Sequence, residues 1–192
     1  MAHINLENNL PGVTGLLEYR KDTSVPLREL TQILLRGKST LSESDRELIA
    51  TVVSNKNECV YCTTSHKAAA DAFLGEEETS RTVNENIETS TVSKKLKMLL
   101  VIALQVQQGG KNVTEEAINS AIQEGATDLE IHDTVMIAAL FCFYNRYVDG
   151  LGTFAPTEPI YYSEMAQRLK TNGYYRPING YDTLMDKNYE GN

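Results

Sequence analysis

Apolar residues along this chain recur at helical spacing, and no strand-length run alternates convincingly. Leu27, Leu30, Ile33 and Leu34 share one face of a helix that the pattern starts near Ser24 or Pro26 and stops before Gly37. Ser42, with Asp45 three residues on, reads as an N-cap with an acidic first turn. It opens a helix striped by Leu48, Ile49, Val52 and Val53 that ends around Asn55 to Asn57. A further helix begins near Cys59, runs through Ala68, Ala69 and Ala70, and stops at Gly75. Residues 76–90 are acidic and polar, fit for a solvated loop or a short exposed helix. Leu96, Leu99, Leu100, Ala103 and Leu104 mark a helix from Lys94 to Gln107, broken by Gly109 and Gly110. Thr114 then caps a short helix to Glu124. The longest helix is capped by Thr127 or Asp128 and ends near Gly150. Between Val135 and Tyr144 it is apolar nearly all round, so it must be covered on more than one side, by the monomer or by other subunits.

From Pro156 onward the composition changes to prolines, scattered Asn and Gly, and six of the ten tyrosines. One short helix, Ser163 to Thr171, fits this stretch. The chain therefore divides into a helical domain over 1–155 and a Pro/Tyr-rich tail over 156–192. The tail is expected to pack on its own domain or a neighbouring subunit, with a place in an active-site wall as the sharper alternative. No internal repeat is visible.

With 41% hydrophobic and 23% charged residues in 192, the chain has the composition of a folded, water-soluble protein. Its longest apolar stretch, Val135 to Phe143, is far short of the roughly 20 residues that cross a bilayer, so no membrane partner is expected. Met1 to Leu10 lacks the basic start and apolar middle of a secretory signal, and the protein is read as cytoplasmic. A net charge of −8 repels a phosphate backbone, so nucleic acid is not expected as a partner. Three cysteines are an odd count, against a disulfide framework and in favour of redox or metal chemistry at the close pair. Cys142 falls inside an apolar run and reads as core.

The chemistry concentrates in Glu58-Cys59-Val60-Tyr61-Cys62-Thr63-Thr64-Ser65-His66. On a helix, positions i, i+3 and i+7 align Cys59, Cys62 and His66 on one stripe. The opening turn favours a lowered thiol pKa and greater exposure at Cys59, whereas His66, one turn beyond Cys62, is placed to exchange a proton with Cys62. A two-residue spacer lets one sulfur attack an oxidant and the other resolve the product. Haem attachment would need His directly after the second cysteine, where Thr63 stands. Structural zinc would need a fourth ligand from His132 or Cys142, and no second pair exists. Glu47, between the apolar residues of its helix, reads either as a solvated face residue or as a partly buried one, whose raised pKa would let it hold a proton for a neighbouring histidine.

These residues resemble the AhpD-like (alkylhydroperoxidase D) branch of the carboxymuconolactone decarboxylase family, in particular its peroxidase-related members. The family pattern is a glutamate, a twelve-residue step to Cys-x-x-Cys, and His four residues after the second cysteine. Glu47, Cys59, Cys62 and His66 meet each spacing. Leu10-Pro11-Gly12, Gly15-Leu16-Leu17, Arg46 to Ala50, Ser65 to Ala69 and Asn145-Arg146 extend the likeness over about residues 10–155. The resemblance implies an all-α helical bundle, a homo-oligomer (trimer or hexamer), and thiol-dependent reduction of hydroperoxides without metal, haem or other cofactor. It implies Cys62 as the peroxidatic sulfur, Cys59 as the resolving one, and Glu47 with His66 as the proton relay. Electrons would come from a thiol reductant or a redox carrier protein. Tyr61 stands where that branch can carry a histidine, so the proton path is expected to differ. The rival readings are a general thiol-disulfide reductase and a non-enzymatic redox or zinc-binding sensor module.

Overall fold

The structure, a computed structural model, describes residues 2–176, and helices make up the regular structure among them. In chain order they are α1 Gly12–Tyr19, α2 Lys21–Arg36, α3 Glu43–Lys56, α4 Val60–Leu74 and α5 Glu78–Glu85. There follow α6 Lys94–Gln108, α7 Glu115–Gln123, α8 Asp128–Gly150 and α9 Pro159–Asn172. The all-α expectation holds. No helix among the described residues is long and apolar enough to cross a membrane. The last part of the tail, residues 177–192 with Tyr181 and Tyr189, lies outside the described residues.

Local chemistry sets most boundaries. Ser42 and Asp45 close a reciprocal capping box on α3, and Thr127 and Glu130 do the same for α8, so two donors at each start are satisfied by side chains. Gly75 ends α4 in the left-handed conformation. Two starts differ from the sequence pattern. α2 begins at Lys21 and carries Pro26 inside it, because the Thr23 and Ser24 hydroxyls bond back to the Arg20 and Lys21 carbonyls and build a first turn ahead of the proline. α9 begins at Pro159 rather than Ser163, since a proline in the first helical turn gives up an N–H that has no helical partner anyway. α1, which the periodicity did not mark, is a two-turn helix whose Leu16 and Leu17 are buried.

The main core is formed by α3, α6 and α8, with Ile49 and Val53, Leu99 and Leu100, and Ile137 and Phe141 at its centre. α8 is thus covered largely within the monomer, although Leu129 and Phe143 stay exposed. A second, smaller apolar cluster joins Leu16, Cys59, Tyr61, Cys62, Val148 and Tyr161, drawn from α1, α4, α8 and α9. α9 packs along α4, so the first half of the tail is part of this cluster.

The turn from α3 to α4 positions the cysteines. The Glu58 N–H bonds to the Asn55 carbonyl and the Cys59 N–H to the Ser54 carbonyl, the paired bonds of a Schellman motif. Its left-handed position is held by Glu58, at φ +59°, where glycine is usual. Cys59 then stands at the N-cap of α4.

Candidate active site

Glu47 is fully buried on α3 and accepts from three donors at once. Its Oε2 meets His66 Nδ1 at 2.7 Å, and its Oε1 takes the Arg36 Nη2 at 2.5 Å and the Tyr174 hydroxyl at 2.7 Å. Burial works against ionisation more than any other single influence, but the charge and hydrogen bond of His66, with Arg36 and Tyr174, outweigh it. The carboxyl is held below its ordinary value. This corrects the expected raised pKa: Glu47 is a standing anion rather than a proton reservoir. An ionised carboxylate can only accept, so His66 turns an Nδ1 hydrogen to Glu47 and leaves its Nε2 edge free of that bond. The imidazole is pinned edge-on by Phe141, with centroids 4.4 Å apart, and stacks on Tyr174 at 6.2 Å and 13°.

Cys59 and Cys62 are unbridged and both buried, Cys59 entirely and Cys62 at 3% exposure. The side chain of Cys62 is the neighbour that acts on the Cys59 thiol most strongly. That interaction, then burial, push the Cys59 pKa up. Full burial of Cys59 and the upward direction of its pKa run against the expected exposure and lowered pKa at the head of the helix. The helix terminus does offer Cys59 favourable polarity, but the neighbouring sulfur and the apolar cluster around it act more strongly.

Cys62, Ser65 and His66 line one cavity of about 90 Å³, which Cys59 does not reach. Helical serines and threonines commonly satisfy their hydroxyl on the carbonyl four residues back, as Thr31, Thr51 and Thr134 do here. Ser65 Oγ is buried and has no hydrogen-bond partner among the described residues. Tyr61 lines the same cavity, and its hydroxyl meets Thr14 Oγ1 at 3.1 Å and the Tyr161 hydroxyl at 3.0 Å. Its ring lies so close to Gly12, at φ +53°, that a Cβ there would overlap it.

The residues weighed as extra metal ligands lie elsewhere. His132 is exposed and bonds Asp133, and Cys142 receives a long contact from Asn57. Among the described residues no three His, Cys, Asp or Glu side chains converge as metal ligands do. Asn145, from the segment that resembled the family, is structural: buried, it bonds Ser54 and Asn57 and ties α8 to the end of α3.

Sequence reasoning missed Arg36 and Tyr174. Arg36 is the last residue of α2, where a cation suits the helix dipole, and nothing in its spacing to Glu47 signals an ion pair. Tyr174 follows Gly173, whose positive φ ends α9. Its N–H then bonds Gln32 Oε1 at 2.6 Å, which swings the ring over His66. Gly173 was a legible stop signal; the landing point of the next residue was not.

Solved structures share this all-helical fold. An AhpD-core, peroxidase-related protein from Ralstonia eutropha JMP134 superposes with a TM-score of 0.73 at 23% identity, covering 82% of this chain and 82% of that one. A peroxidase-related protein from Silicibacter sp. TM1040 gives 0.72 at 22%, covering 80% and 78%. The debrominase Bmp8 gives 0.67 at 16%, covering 82% and 83%. No curated protein sequence matches the chain. The model of the carboxymuconolactone decarboxylase family matches residues 27–84, the segment that carries Glu47, Cys59, Cys62 and His66.

Proposed function

We propose that this protein is a thiol-dependent peroxidase that reduces hydroperoxides through Cys62 and Cys59. The observation that carries the reading is the arrangement around one cavity. Cys62 lines it, His66 lines it one helical turn away with Nδ1 tied to an ionised Glu47, and Cys59 stands three residues before Cys62 at the N-cap of the same helix, buried outside the cavity.

The chemistry follows from those positions. His66 Nε2 takes the Cys62 proton, and the thiolate attacks the terminal oxygen of a hydroperoxide, ROOH. The O–O bond breaks, an S–O bond forms, and RO⁻ leaves with the proton returned by His66. Cys62 becomes a sulfenic acid, oxidised by two electrons, and ROOH becomes ROH. Ser65 Oγ is the donor available to the leaving oxygen. Cys59 then attacks the sulfenic sulfur, water departs, and a Cys59–Cys62 disulfide forms. An external dithiol, small or on a carrier protein, restores both thiols and is itself oxidised to a disulfide. The reading includes a homo-oligomer, with Phe143 and Leu129 on α8 as apolar surface for a neighbouring copy.

Mass spectrometry of metal-free protein after one equivalent of peroxide tests the assignment. Cys62→Ser should consume no peroxide. Cys59→Ser should consume about one equivalent and stop with a sulfenic acid on Cys62. Sulfenic acid on Cys59 in the Cys62→Ser variant, with none on Cys62 in the converse variant, would reverse the roles.

A further inference from the structure

Resting on that peroxidatic reading, we propose that Ser65 is a catalytic residue that sets which peroxides the site reduces: its hydroxyl stabilises the departing oxygen of an alkyl hydroperoxide, a help that a peroxy acid does not need. Ser65 is 3% exposed and its Oγ has no hydrogen-bond partner among the described residues, yet it lines the cavity with Cys62 and His66. A buried hydroxyl without a partner is costly, and native interiors rarely hold one. The neighbouring Thr64 shows the ordinary solution, giving its hydroxyl to the Val60 carbonyl at 2.9 Å. Ser65, next to it on α4, keeps its hydroxyl off the backbone and in the cavity wall.

Its position suits the task. Cys62, Ser65 and His66 stand at i, i+3 and i+4 of α4, on one face of the helix. A thiolate about 3–3.5 Å from the oxygen it attacks has the departing oxygen one O–O bond farther out, beside the residue one turn along. Other hydroxyls of the wall already have partners: Tyr61 meets Thr14 and Tyr161, Thr31 meets Tyr144, and Tyr174 gives its hydrogen to Glu47. Much of the remaining wall is apolar, with Val13, Leu17, Met165 and Leu169. In such surroundings a donor aimed at developing charge acts more strongly than it would in water.

The chemistry gives the selectivity. When the Cys62 thiolate attacks the terminal oxygen, an S–O bond forms and the electron pair of the O–O bond goes to the departing group. From an alkyl hydroperoxide that group is an alkoxide, the base of an alcohol about as weakly acidic as water, whose pKa is about 15.7. It needs a hydrogen bond while its charge develops and a proton from His66 to leave as ROH. From a peroxy acid the group is a carboxylate, whose acid resembles a glutamate side chain of pKa about 4.3, and it leaves as the anion. In both cases Cys62 ends as a sulfenic acid, oxidised by two electrons. The Ser65 donor therefore matters in proportion to the basicity of the group that departs.

Stopped-flow oxidation of the reduced full-length chain by tert-butyl hydroperoxide and by peracetic acid separates the two classes, with the rate of Cys62→Ser subtracted to remove reaction at other thiols. Ser65→Ala should slow the alkyl hydroperoxide about 10²-fold, as loss of one donor to a developing oxyanion does, and peracetic acid by less than about threefold. The thermal midpoint of Ser65→Ala should hold or rise, since no hydrogen bond to the protein is lost and an unpaired polar atom leaves the interior. A clear fall in the midpoint would give the hydroxyl a structural partner and count against the proposal. Equal slowing of both peroxides, the result for a hydroxyl that serves the Cys62 thiolate or only packs, overturns it and leaves the peroxidase reading standing. No slowing of either also overturns it and passes the donor's part to another group of the wall. A native chain that consumes neither peroxide faster than Cys62→Ser would end the peroxidase reading, and this role with it.

Discussion

Glu47 is a buried anion whose oxygens meet an imidazole, a guanidinium and a phenol, and each partner has a separate consequence. Arg36 is only 7% exposed at its side chain, so neutralising Glu47 leaves a nearly buried cation without its counter-charge. Loss of one partner from such a pair costs roughly 3–5 kcal/mol. Glu47→Gln should therefore unfold at clearly lower denaturant concentration, as well as slow Cys62 oxidation on the order of 10²-fold through the lost orientation of His66. Tyr174→Phe removes one neutral donor and keeps the ring on His66, so its stability cost should be about 1 kcal/mol. Burial, followed by the Glu47 charge, holds the Tyr174 phenol well above its ordinary pKa, so it stays a donor. Without that donor Glu47 is easier to protonate, and the acid limb of the pH–rate profile for Cys62 oxidation should move to higher pH. An unchanged profile in Tyr174→Phe would reduce the tyrosine to packing.

The turn between α3 and α4 tests how far local backbone geometry sets the site. At Glu58 the left-handed conformation costs an L-residue roughly 1–2 kcal/mol, and a β-branched side chain tolerates it worst. Glu58→Val should lower stability by about that amount and disturb the Cys59–Cys62 register, whereas Glu58→Gly should fold with unchanged peroxide consumption; thermal melts and single-turnover oxidation read both. This turn also marks where the sequence became hard to read. The spacing of Glu47, Cys59, Cys62 and His66 and the caps Ser42 and Thr127 were legible, because helical register and capping act within a few residues. The left-handed Glu58 was hidden, since only glycine or asparagine advertises that conformation. Tyr174 was hidden for another reason: it reaches Glu47 from 127 residues away, and only the packing of α9 on α4 brings it there. The raised Cys59 pKa had the same origin, since the helix terminus was visible in the sequence but the burial of both sulfurs was not.

Buried carboxylates also make the stability of the whole chain depend on pH, and Glu130 allows this to be measured away from the cavity. Its side chain is 1% exposed and accepts from Lys95 Nζ at 2.7 Å, Thr40 Oγ1 at 2.8 Å and the Thr127 N–H at 2.8 Å, joining α6, the segment before α3 and the start of α8. Burial opposes its ionisation, but these donors prevail and hold the carboxyl below its ordinary value, as at Glu47. An unfolded glutamate titrates near 4.3. Above that value both states are ionised and the full contribution of the two groups is present. Below it the unfolded chain binds protons that the folded chain still refuses, so stability falls as pH drops through the folded values. Denaturant midpoints should therefore be level in these two groups from about pH 7 to 5 and decline below about pH 4. Glu130→Gln should start from a lower midpoint at pH 7, because Lys95 loses its counter-charge, and should decline less on acidification, because one of the two linked protons is gone. A variant whose midpoint tracks the native protein in parallel down to pH 3 would show that Glu130 does not carry the linkage.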